Sequence, residues 1–83
     1  MKSIIVYSTE PCGHCRNAKA LLQKRGVSYE EINLAKDPDG RAKLASRTGL
    51  MTFPQIVIDG QTLGGLDQLV AADREGRLRA LAA

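Results

Sequence analysis

The apolar residues change period once near the start of the chain, and that change limits the folds open to it. Ser3 to Ser8 carries the unbroken run Ile4-Ile5-Val6-Tyr7, β-branched and bounded by small polar residues. That is the pattern of a strand covered on both faces, and it places this strand centrally in a sheet. After Glu10-Pro11 the apolar positions fall three and four apart, at Cys12, Cys15, Ala18 and Leu22 with Leu21 beside them, while Arg16, Asn17, Lys19, Gln23 and Lys24 fill the other side. This spacing predicts an amphipathic helix. Pro11 suits its first turn, where a missing N–H costs nothing, and Lys24-Arg25-Gly26 brings cations to its C-terminal end followed by a glycine stop.

The remaining chain continues the alternation. Val27 to Leu34, with Tyr29, Ile32 and Leu34 among polar residues, predicts a second strand nearer an edge. Asp37-Pro38 opens a second helix running to about Thr48, with Ala42, Leu44 and Ala45 on its apolar side and Gly49 at its end. The short apolar run Gln55 to Ile58 meets Asp59-Gly60, a two-residue hairpin signal, and Gln61-Thr62-Leu63 returns antiparallel. Gly64-Gly65 turns into a third helix from Leu66 to Glu75, closed by Gly76. The predicted order is β-α-β-α-β-β-α. A right-handed crossover makes the first two strands parallel, and the hairpin adds antiparallel strands, giving an α/β fold with a four-stranded mixed sheet flanked by three or more helices. With 83 residues, one domain spanning 1–83 is expected.

Composition excludes several function classes. Trp is absent and aromatics make up 4%, too few for stacking on bases or sugars. The net charge of +3 is spread among acids rather than gathered in a stripe, so no nucleic-acid partner is expected; a mild excess of this kind helps an anionic small molecule approach. The N-terminal apolar run falls short of the roughly 7–15 residues of a signal-peptide core. No membrane association and a cytoplasmic location are therefore expected. Two cysteines, so close together, close no useful loop and read as chemical rather than structural.

Cys12-Gly13-His14-Cys15 stands where the first strand passes into the first helix. Cys12 at a helix N-terminus meets unpaired N–H groups and the positive end of the macrodipole, which stabilise a thiolate and make it the nucleophile. Cys15, one turn on and facing the core, can reach back to form a disulfide and acts as the resolving thiol. Half of a zinc site is the competing interpretation. It fails on ligand count, because two cysteines and a His14 wedged between them do not make four ligands, and no metal ligands are assigned. A lone histidine is commonly a surface residue; here a protonated His14 would favour the Cys12 thiolate.

Three separated motifs, Cys12-Gly13-His14-Cys15, Thr52-Phe53-Pro54 and Gly64-Gly65-Leu66-Asp67, each lie at an element boundary, and together they resemble the glutaredoxin family from Ile4 to about Gly76. The resemblance implies a thioredoxin-like fold and glutathione as co-substrate. It also implies that Pro54 is cis beside the active cysteine, that Thr52, Phe53 and Pro54 border the glutathione site, and that the Phe53 backbone pairs with the cysteinyl part. Gly65, Leu66 and Asp67 are then the γ-glutamyl end's partners. A helix start offers N–H donors to a carboxylate and Asp67 can accept from an ammonium, although simple capping also accounts for Asp67. Arg41, by the same resemblance, meets the glycine carboxylate; a solvated arginine is the alternative.

This chain departs from the family at several points. Gly13-His14 replaces the frequent Pro-Tyr and resembles the pair in protein disulfide isomerases. Thr9 stands at a common lysine position, Phe53 replaces a valine, and Gln68 replaces an aspartate. Thioredoxin proper normally has Trp before its active cysteine, which this chain lacks. The expected activity is reduction of protein disulfides and glutathionylated proteins by a monomer, with no obligatory cofactor. The alternative is a dimeric carrier in which Cys12 of each chain and two glutathione thiols hold a [2Fe–2S] cluster.

Overall fold

The structure, a computed structural model, describes residues 3–82. Its elements are β1 (Ile4–Ser8), α1 (Gly13–Lys24), β2 (Glu30–Asn33), α2 (Pro38–Thr48), β3 (Gln55–Ile58), β4 (Gln61–Gly64), α3 (Leu66–Arg74) and α4 (Arg77–Leu81). The four strands form one sheet in the order β2-β1-β3-β4. β1 pairs parallel with β2 and antiparallel with β3, and β3 and β4 form the hairpin. β1 is thus interior and β2 an edge, as the sequence predicts.

Alternation along the strands explains why both faces need cover. Ile4 and Val6 stand on the same face as their partners Ile58 and Ile56, and this face meets Ala18 and Leu22 of α1, Leu69 of α3 and Leu78 of α4 in the main core. Tyr7 and Gln55 share the opposite face, which α2 covers: Leu44 is buried there and Thr48 bonds to Gln55. The hairpin turns through Asp59 and Gly60 at φ 50° and 80°, the left-handed pair that matches strand twist.

The structure corrects three boundaries. β2 starts at Glu30 rather than Val27, because the Val27 N–H still donates to Leu22 O (2.9 Å) and Gly26 N–H to Gln23 O (3.0 Å). Those two bonds close α1 in a Schellman motif, and Val27 is spent as its apolar plug in the core. Pro11 lies before the helix, one residue ahead of the N-cap Cys12, and its peptide bond with Glu10 is cis. Beyond Gly76 the chain forms α4, whose Leu78 is fully buried.

Two ion pairs tie helices to the rest. Arg25 at the end of α1 grips Asp73 of α3 through Nε–Oδ1 (2.7 Å) and Nη2–Oδ2 (2.9 Å). The Glu31 carboxylate of β2 accepts from Lys19 Nζ (2.9 Å) and from the buried Ser8 hydroxyl (2.7 Å). The Lys19 and Ser8 hydrogen bonds hold Glu31 below the usual carboxylate range, and the Arg25 hydrogen bond does the same for Asp73. A carboxyl whose pKa is lowered by folding stabilises the protein above its unfolded value, near pH 4, and loses that contribution as pH falls through the folded value. Urea unfolding midpoints measured from pH 7 to 3 are therefore expected to fall further for the native sequence than for a Glu31→Gln/Asp73→Asn double variant. Parallel curves would show that these pairs add nothing to stability.

Candidate active site

Three junctions far apart in sequence meet at one end of the sheet: β1 into α1, the loop before β3, and β4 into α3. The first carries Cys12, extended at φ −155° as the N-cap of α1, and joined to Cys15 in a disulfide with Cα atoms 5.3 Å apart. Cys12 is half-buried, while Cys15, pointing under the helix, is 2% exposed. The Cys15 N–H donates to Cys12 Sγ at 3.0 Å, and the first turn of α1 holds no acidic residue. A thiolate formed at Cys12 on reduction would lie against this N–H and the positive end of the helix, with no nearby carboxylate on that turn to oppose it.

The second junction carries Phe53 and Pro54 across a cis peptide bond. Pro54 is buried and Phe53 half-buried. The third brings Gly65, N-cap of α3, so near that a Cβ placed on it would lie 3.4 Å from Pro54 O. Gly64 before it has φ 132°, and a Cβ there would run into Gln68 Cγ at 2.7 Å, so only glycine fits this corner. Gln68, in the third position of the helix, turns back to accept the Gly65 N–H at 2.9 Å. The N–H groups of Leu66 and Asp67 belong to the first turn, which no helical carbonyl reaches.

Between the second and third junctions runs a groove of about 540 Å³, ending at His14. It brings together His14, Thr52, Phe53, Pro54, Gly65, Leu66 and Asp67, seven of the residues singled out from sequence. Cys12 and Cys15 border an adjoining hollow of about 520 Å³ with Thr9, Arg16, Lys19 and Asn33. Arg41 is not in the groove. Its Nη1 donates to the carbonyls of Leu34 (2.6 Å) and Ala35 (2.9 Å), so it secures the loop after β2. His14 is exposed. Thr48, Leu50, Thr62 and Leu63 also line the groove and were missed, because nothing local marks a side chain that reaches a site across the sheet. Gln68 was noted only as a departure, although a glutamine three residues after Gly65 has capping-box spacing.

Among the described residues, no group of three or more His, Cys, Asp and Glu side chains is placed to hold a metal ion, and no helix is long and apolar enough to cross a membrane.

Known proteins are similar to this chain in sequence and in fold. The glutaredoxin family model matches residues 4–63. Glutaredoxin 3 of Escherichia coli K12 is 41% identical over 78 residues, covering 94% of each chain. A glutaredoxin of Pseudomonas aeruginosa is 43% identical over 81 residues, covering 98% of this chain and 96% of its own. The crystal structure of a buckwheat glutaredoxin–glutathione complex superposes with a TM-score of 0.86 at 32% identity, covering 98% of this chain and 76% of that one. With a helix-capping cysteine joined to a second one turn later on a thioredoxin-like sheet, this chain belongs to the glutaredoxin family and is a dithiol oxidoreductase of the glutathione-dependent class.

Proposed function

We propose that the protein reduces protein disulfides and glutathione mixed disulfides in the cytoplasm, drawing electrons from glutathione through Cys12 and Cys15. The observation that carries this is the continuity of the groove: it runs from His14, beside the nucleophile, past the Phe53 backbone to the first turn of α3, matching an extended tripeptide with an anionic end. The similar buckwheat protein was crystallised with glutathione, which supports the same ligand here.

In the proposed cycle the Cys12 thiolate attacks the glutathionyl sulfur of a mixed disulfide. A Cys12–glutathione disulfide forms and the substrate thiolate leaves, to be protonated by solvent. Glutathione thiolate then attacks that glutathionyl sulfur, releasing glutathione disulfide and restoring Cys12. With a protein disulfide, the Cys12 thiolate attacks one substrate sulfur, the substrate S–S bond breaks and the first thiolate leaves; the Cys15 thiolate then attacks Cys12 Sγ, releasing the second substrate thiolate and leaving the Cys12–Cys15 disulfide. Two glutathiones then reduce it, becoming glutathione disulfide. The γ-glutamyl carboxylate is assigned to the N–H groups at the start of α3 and its ammonium to Asp67.

Cys12→Ser is expected to abolish all turnover, whereas Cys15→Ser should still deglutathionylate substrates but lose most protein-disulfide reduction. A coupled assay with glutathione and glutathione reductase reads both, and the reverse pattern would exchange the two roles. Asp67→Asn should raise the apparent KM for glutathione by roughly tenfold, the order expected for a charge-assisted hydrogen bond, with kcat nearly kept. An unchanged KM would reduce Asp67 to a helix cap. A positive charge on His14, two residues from Cys12, stabilises the thiolate and hence the reduced form, so His14→Tyr should lower the reduction potential, by on the order of 30 mV for a tenfold change in the equilibrium. Equilibration with glutathione at fixed pH measures it, and an unchanged potential would leave the helix N–H groups as the thiolate's main support.

A further inference from the structure

Behind the groove lies a polar side chain that the chemistry above does not use. Gln55 directly follows Pro54, is 1% exposed, and opens the otherwise apolar strand Gln55-Ile56-Val57-Ile58. A buried amide destabilises a fold unless its polar atoms are bonded. Here each one is. Nε2 donates to the carbonyls of Leu50 (3.0 Å) and Thr52 (3.1 Å), and Oε1 accepts from Thr48 Oγ1 (2.8 Å). The Thr48 hydroxyl in turn accepts the Leu50 N–H at 3.1 Å. Among the described residues, no backbone partner in a turn or loop reaches Leu50, Met51, Thr52 or Phe53. The segment ahead of Pro54 is therefore held from beneath by two side chains, one on β3 and one at the end of α2.

We propose that Gln55 is a positioning residue for the groove: with Thr48 it fixes the main chain of residues 50–52, so that Phe53 presents its backbone in register with an extended thiol tripeptide. This rests on the glutathione assignment above. Gln55 touches neither cysteine nor the groove, so its effect falls on capture of the ligand and not on the thiol chemistry.

Gln55→Met keeps the volume and removes every bond of the amide. The KM for a glutathione mixed disulfide should rise about tenfold, the order expected for losing these hydrogen bonds, while kcat and the pH dependence of Cys12 alkylation stay as in the native sequence. Thr48→Val removes the other half of the clamp and should shift KM the same way, the double variant being no worse than Gln55→Met alone because both break one network. Because Thr48 also lines the groove, its half of the test is carried by amide exchange at Leu50, whose N–H it holds, and this serves if Gln55→Met does not fold. An unchanged KM overturns the proposal, as does a parallel loss in KM, kcat and alkylation, which marks general damage. Amide exchange at Leu50 separates the clamp from its ligand: it should quicken in Gln55→Met, which frees the Thr48 hydroxyl that accepts this N–H, whether or not glutathione is used. If the native sequence turns over no glutathione substrate, the assignment of glutathione fails, and the exchange rates still decide whether Gln55 holds the loop.

Discussion

One hydrogen bond organises the chemistry, the donation from Cys15 N–H to Cys12 Sγ at 3.0 Å. It exists because Cys12 caps α1 in an extended conformation, and it holds only if α1 keeps its place against the sheet. Ala18 and Leu22 lock the helix onto Ile4, Val6 and Ile56, and the Schellman closure at Gly26 and Val27 fixes its other end. The same burial that anchors the helix seals Cys15, so two thiols one turn apart in sequence receive opposite environments. The proposed division of labour between nucleophile and resolving thiol rests on that packing.

At one corner the groove next to them takes its shape from main chain. Pro54 O and Gly65 nearly touch, Gly64 leaves no room for a side chain beside Gln68, and the first turn of α3 offers its N–H groups. Gln55 supports it from behind, while Thr48 both lines it and bonds to Gln55.

Where the determinants are local, the sequence spoke plainly. The unbroken run Ile4-Tyr7, the three-four spacing after Cys12, Asp59-Gly60 and the glycines before Leu66 each dictate backbone within a few residues, and the structure follows them. The boundary at Val27 went astray because its β-branched side chain satisfies a strand pattern and a helix-end plug equally well. α4 escaped because Gly76 ends one helix and starts another, and only burial of Leu78 distinguishes a tail from an element. Arg41 lies outside the groove. Its guanidinium answers carbonyls of Leu34 and Ala35 that no local pattern announces. Gln55, polar at the head of an apolar strand, was visible in the sequence, but its three partners exist only in the fold.

The Arg25–Asp73 pair has a mechanical side. It joins the C-terminal ends of α1 and α3, whose N-terminal ends carry Cys12 and Asp67. At 1.5 Å per residue the two helices reach roughly 18 and 14 Å from that joint, and both are stiff over such lengths. They behave as the arms of a pair of tongs with the ion pair as rivet. A shift at that joint is carried along both arms to Cys12 and Asp67, at the opposite pole of the molecule.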